Sequence, residues 1–153
     1  MSRRGDRVAI RNRKARYDYH VLESFECGIV LAGAEVKSIR AGHANLQDGY
    51  ARVEGAELWL YGMHVSPYEF SRLELEPVRP RKLLVHRKQI DELERATAEK
   101  GVTLVPLSVY FKDGRAKVEL AVARGKRQYD KRRAIAERDA KREAERAMKG
   151  LRD

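Results

Sequence analysis

Val102–Ala123 reads VTLVPLSVYFKDGRAKVELAVA. Two β-prone runs, Val102–Phe111 and Arg115–Ala123, flank Lys112-Asp113-Gly114. An Asp-Gly pair between alternating apolar runs is a strong hairpin signal, because a tight turn needs residues that accept positive φ. On the second run Val118, Leu120 and Val122 share one face, so Lys117 and Glu119 point the other way. Lys117 is therefore expected on the exposed face of a rigid strand, either as a ligand contact or as an ordinary solubilising lysine.

Working outward, Tyr50–Val65 reads as a second hairpin. Ala51 and Val53 lead into a Glu54-Gly55-Ala56 turn, and Leu58–Tyr61 returns. His20–Leu31 is β-prone, and Gly28 inside it suggests a bulge or bend. Residues 34–41 predict a short helix stopped by Gly42. His86–Lys100 predicts a longer one, with Ile90, Leu93 and Thr97 three and four apart and Gly101 at its end. Pro67, Pro77 and Pro80 keep Ser66–Arg81 from being helical, and Leu83–Val85 is a short apolar run. Six strands or so, short turns and two helices predict a mainly β fold. Its form would be a small antiparallel β-barrel, oligonucleotide-binding-fold-like, with two or three packed helices.

A chain of 153 residues suits one domain with a real core. Its net charge of +10 is unevenly placed. Residues 1–20 carry seven Lys/Arg and two acids, and residues 124–153 carry twelve and six, leaving fourteen and fifteen between them. The ends thus hold +5 and +6 and the middle −1, the footprint of a polyanion binder. Neither end has an apolar face to insert into a membrane, so nucleic acid is the expected partner.

The division expected is a flexible basic N-terminus over 1–11, a body over 12–124 and a basic tail over 125–153. Within 12–19, Asn12-Arg13-Lys14-Ala15-Arg16-Tyr17-Asp18-Tyr19 interleaves cations with two tyrosines, which can contact phosphates and stack on bases. The alternative is a loop whose tyrosines cover the core edge. The tail is almost entirely Ala, Glu, Lys and Arg beyond Arg133. Its stripe of Ala136, Ala140, Ala144, Ala147 and Met148 buries too little area to dock on a core. It is expected to be disordered when free and helical against a charged partner.

Between Glu26 and Tyr50 the sequence ECGIVLAGAEVKSIRAGHANLQDGY places Lys37 and Arg40 three apart beside Val36 and Ile39. On a helix that makes a basic ridge next to an apolar one, either a polyanion dock or two solvated cations.

Cys27, the single cysteine, cannot form an internal disulfide, and neither a signal segment nor a membrane-spanning run is apparent. A reducing, cytoplasmic setting is the simple expectation. The histidines (His20, His43, His64 and His86) are scattered, and none pairs with Cys27 at a metal-ligand spacing. The glycines make no phosphate-cradling loop. No catalytic constellation, metal or cofactor is expected, and a small nuclease is the enzyme reading set aside.

A series of motifs then occurs in one order: Asn12-Arg13-Lys14-Ala15-Arg16, Phe25-Glu26, Glu35–Gly42, Arg81-Lys82-Leu83-Leu84, Gly101–Leu107, Tyr110-Phe111-Lys112, Ala123–Lys126 and Tyr129–Arg132. Over residues 12 to 149 this closely resembles the SsrA-binding protein (small protein B) family. The resemblance implies a protein that binds the tRNA-like part of transfer-messenger RNA and escorts it into stalled ribosomes for trans-translation. Its tail would enter the empty mRNA path near the decoding centre and fold there. The runner-up is another ribosome-associated RNA-binding protein.

Carried across, the resemblance puts RNA-binding positions at Glu26, Leu84 and Lys117, with Tyr19 and Tyr50 in the same class. Lys37 and Arg40 join them from the basic ridge. Glu26 can accept from base amino groups or 2′-hydroxyls, or it can hold Lys117 or Arg40 by pairing. Tail positions toward the ribosome are Lys126, Tyr129, Asp130, Lys131 and Arg132. A monomer is expected. The chain departs from the family pattern at Phe70–Glu76, which is more acidic, and at His43, where lysine is common.

Overall fold

The β8–β9 hairpin, Val102–Lys112 and Arg115–Gly125, is the longest paired unit of the chain. It turns through Asp113 (φ 51°) and Gly114 (φ 75°), the two positive-φ residues of a tight hairpin loop. The computed structural model describes residues 8–68, 75–126 and 128–152, with side chains of the last stretch over 136–148. Before the hairpin come β1 (Val8–Arg11), α1 (Ala15–Asp18), β2 (Tyr19–Ile29), α2 (Gly33–Arg40) and β3 (Ala44–Asn45). β4 (Tyr50–Glu54), β5 (Glu57–Tyr61), β6 (His64–Val65), β7 (Arg81–Leu84) and α3 (Arg87–Ala98) follow, and α4 (Gln128–Arg152) comes last.

β4, β5, β7, β2, β9 and β8 pair in turn, and β8 pairs back to β4, so six antiparallel strands close into a ring. β1 adds to β8 beside β4. Closure leaves no open edge within the six, and the inward residues make the main core. Cys27, Leu58, Leu60, Leu104, Val118 and Leu120 are buried there, with Ile39 of α2 and Leu93 of α3 packed onto the same cluster. A second, smaller cluster lies on the outer face, where Ala15 of α1 and Tyr19 cover Val105, Leu107, Ala121 and Ala123.

The fold is mainly β with several helices, as the hairpin signals predict. Three details differ. Val8–Arg11, expected within a disordered N-terminus, is a strand on β8 with Ile10 buried. Ile10, with Ala9 packed beside it, is enough because β8 runs on past its pairing with β4 at Leu104 and offers Ser108–Tyr110 to β1. β2 is irregular between Val21 and Glu23, leaving exposed Leu22 unpaired, while Gly28 stays in register. Gly28 answers to a close approach instead, since a Cβ there would lie 3.2 Å from the Leu84 Cβ. Finally, Gln128–Arg152, expected to be disordered without a partner, is one helix, and every described side chain over 136–148 is exposed. Its Ala, Glu, Lys and Arg content supports that helix without a docking face.

An ion cluster absent from the sequence reading ties α2 to β7. The Glu35 carboxylate, almost fully buried, accepts from Arg79 and Arg81, and from the Ala32 N–H at 2.9 Å. Arg81, fully buried, also donates to the carbonyls of Met63 (2.7 Å), Arg79 (3.2 Å) and Pro77 (3.1 Å). Burial alone would raise the Glu35 carboxyl, yet these hydrogen bonds and the Arg81 charge hold it below its ordinary value.

Candidate nucleic-acid interface

On the outer face of the ring the strand register assembles residues far apart in sequence. Gly28 pairs with Leu84 on one side and with Lys117 on the other. Lys117 pairs with Tyr110, and Tyr110 with Val8, so a single row crosses five strands. The next row runs Glu26, Glu119, Ser108, Arg11. Directly opposed residues share a face, so both rows point away from the core row of Cys27, Val118, Val109 and Ile10. Leu84 is 51% exposed, and Gly28 beside it leaves a notch between an apolar side chain and a cation.

Glu26 is held from the side. The Tyr110 hydroxyl donates to its Oε2 at 2.5 Å, and Lys112 Nζ lies 3.6 Å from the same oxygen. Among the described residues, Oε1 has no donor. Burial, and then the bond to Glu26, push the Tyr110 phenol up, so it stays a donor at physiological pH. Glu119 stands directly across from Glu26, with Ser108 Oγ 3.4 Å from its carboxylate. Lys117 makes no ion pair with a described residue, so neither of the pairings open to Glu26, with Lys117 or with Arg40, is formed. Tyr110 and Lys112, which the sequence offers only within the Tyr110-Phe111-Lys112 motif, are not among the expected site residues, although period-two alternation puts Tyr110 on the face opposite Val109. Cys27, just behind, is inert: burial, then the Glu26 charge, push its thiol up to about 12.

The other expected residues lie elsewhere. In the ring β4 is three strands from β2 in either direction, so Tyr50 is not part of the Glu26 patch. It stacks on Tyr61 with ring centroids 5.5 Å apart, and Arg52 caps Tyr61 at 5.4 Å. Tyr19 and Tyr50 instead meet across one cleft of about 350 Å³, with Asn12, Lys14 and Gln47. Lys37 lies 5.1 Å from the Tyr68 ring and Arg40 4.5 Å from the buried Phe111 ring, both engaged within the chain. Lys126 holds the start of the tail against α1, its N–H on Asp18 O (2.8 Å) and its Nζ on Arg16 O (3.2 Å). The side chains of Tyr129, Asp130, Lys131 and Arg132 lie outside the described residues, as do residues 70–74 of the acidic loop.

The surface offers a cation, a free carboxylate oxygen, an exposed leucine and, across the ring, stacked tyrosines. That combination suits bases, riboses and phosphates of RNA. Among the described residues no cluster of His, Cys, Asp and Glu is arranged to hold a metal, and no helix is long and apolar enough to cross a membrane.

A closed antiparallel ring with a cationic and aromatic outer face is the architecture of a nucleic-acid-binding module. Comparison with known proteins narrows the class. A family model described as SmpB protein matches residues 9–150. An SsrA-binding protein of Desulforudis audaxviator is 58% identical over 98% of this chain and 99% of its own. Another, of Carboxydothermus hydrogenoformans, is 56% identical over 94% and 97%. A solved chain from "tmRNA-SmpB: a journey to the center of the bacterial ribosome" superposes with a TM-score of 0.68 at 45% identity, covering 82% of this chain and 93% of that one. The chain belongs to the SmpB protein family.

Proposed function

We propose that this protein binds the tRNA-like domain of transfer-messenger RNA and delivers it to stalled ribosomes for trans-translation. The observation that carries the reading is the meeting of Glu26, Leu84 and Lys117 on three adjacent strands. These are the positions that the family resemblance assigns to RNA. Lys117 supplies a phosphate contact, Leu84 packs against a ribose or base, and Glu26 Oε1 accepts from an amino group or 2′-hydroxyl. The protein acts by binding in the cytoplasm and performs no bond chemistry itself. The body over 12–124 carries RNA recognition. The tail over 125–153 enters the mRNA path, where Tyr129 stacks and Lys131 and Arg132 meet ribosomal RNA phosphates.

Two variants test this. Lys117→Ala is expected to weaken the gel-shift affinity for the tRNA-like domain about tenfold, the scale of one charge-assisted contact. Truncation after Gly125 is expected to leave that affinity largely intact while abolishing tagging of a stalled peptide. An unchanged affinity for the first removes the RNA face, and tagging by the second removes the tail from the mechanism.

A further inference from the structure

β8 outruns β4, and β1 fills the length left over. β2 outruns β7 in the same way, meeting it only at Gly28 and Ile29, so beyond the closed part of the ring Tyr19–Cys27 has β9 on one side and no described strand on the other. The Val30 N–H donates to Lys82 O (3.0 Å), which sets the phase of that side. Hydrogen-bonded pairs alternate along an antiparallel strand, so Gly28, Glu26 and Ser24 turn their backbone N–H and C=O the same way. Those of Glu26 and Ser24 point past the end of β7, where no described strand receives them. The irregularity at Leu22 ends this run, with Val21 and Leu22 exposed beside it.

The charges on such an edge decide what pairs with it. Glu23, Ser24 and Glu26 are all exposed. Glu23 stands opposite Val122 and Glu26 opposite Glu119, so the two carboxylates lie on opposite faces of the edge, three residues apart. Glu23 makes no ion pair with a described residue. Carboxylates on both faces repel a phosphate backbone and a second copy of the same strand, and they favour a cationic one.

We infer that the β2 edge from Leu22 to Glu26 is a docking site for an extended, lysine- or arginine-bearing segment of a partner protein, added as a strand in line with β7. Backbone bonds to Ser24 and Glu26 hold the segment, and cations opposite Glu23 and Glu26 set its register. Val21 and Leu22 give it apolar contact at one end. The site stands independently of the RNA reading. It shares Glu26 Oε1 with the RNA patch, so a cation of the added strand and an RNA donor compete for that oxygen.

The test titrates the full chain with a synthetic peptide of about six residues, two lysines three apart among valines and threonines. The same peptide with glutamates for lysines, and a uridine oligonucleotide, are the comparisons, and amide hydrogen exchange is read residue by residue. The basic peptide at ~10 times its Kd is expected to slow exchange at Ser24 and Glu26 about tenfold. Phe25 and Cys27, whose N–H groups alternation assigns to β9, are expected to change little. Ser24→Pro removes the outward N–H and spares the β9 ladder, and it is expected to weaken the peptide about three- to tenfold. Glu23→Lys is expected to weaken the basic peptide and to strengthen the acidic one, and it carries the test alone if a melting curve shows that the proline unfolds the chain. Three results overturn the site: no slowing at Ser24 and Glu26, equal slowing by the acidic peptide or the oligonucleotide, or slowing that follows protein concentration without peptide, which is pairing with a second copy.

Discussion

The Tyr110 hydroxyl donates to Glu26 Oε2 across 2.5 Å, joining β8 to β2 over the intervening β9. The bond matters because Glu26 directly faces Glu119, and two opposed carboxylates repel. Without a donor, Glu26 would swing toward solvent and lose its aim.

Tyr110→Phe keeps the ring and removes only that donor. The affinity for the tRNA-like domain is expected to fall about five- to tenfold, the net scale of one ordinary hydrogen bond, with little change in melting temperature. Fluorescence anisotropy measures it. An unchanged affinity would mean that the Glu26 orientation is irrelevant to binding.

Gly28→Ala tests the notch. The new Cβ would sit 3.2 Å from the Leu84 Cβ, so it fills the notch between Leu84 and Lys117 and pushes Leu84 aside. Because Leu84 is half exposed, the stability loss is expected to stay below ~1 kcal/mol, while RNA affinity drops severalfold. Gly33→Ala is the control, since an added Cβ there meets nothing within 4 Å. If the two substitutions behave alike in an RNA titration, the notch has no role.

The hairpins were legible because their signals are local: Asp113-Gly114 carries its turn chemistry in two residues, and alternation assigns Lys117 its face. Glu26, Leu84 and Lys117 could be named as a set only through the family resemblance, because their meeting depends on register between non-consecutive strands. β1 was hidden for the same reason, since Val8–Arg11 is a strand only by virtue of the β8 edge. The Glu35–Arg79–Arg81 cluster was illegible because charged residues are normally assigned to the surface, and nothing local marks these as buried. The resemblance puts Tyr50 in one class with Glu26 but carries no geometry, and ring closure places the two on strands three apart.

Ala56 is the second positive-φ residue of the β4–β5 turn, at φ 63° after Gly55 at 55°. A left-handed conformation costs a residue with a Cβ roughly 1 kcal/mol or more. Ala56→Gly is expected to stabilise the protein by about 0.5–1 kcal/mol in urea unfolding, after allowing for the entropy that glycine adds to the unfolded chain. A lower midpoint would show that the turn is not strained.

Glu35 makes stability depend on acid. Its folded-state carboxyl is held below the ordinary value of 4.5, so its contribution is fully present above that value. It fades as pH falls through the depressed value, because protonation leaves buried Arg81 without its counter-charge. Glu35→Ala removes the acceptor at every pH and is expected to cost about 3–5 kcal/mol, the scale of an orphaned buried charge. Glu35→Gln keeps an acceptor but no charge, so its deficit against wild type should be largest near neutrality. That deficit should then shrink as urea midpoints are followed from about pH 7 to about pH 3. A gap that stays constant across this range would show that Glu35 is not the titrating group.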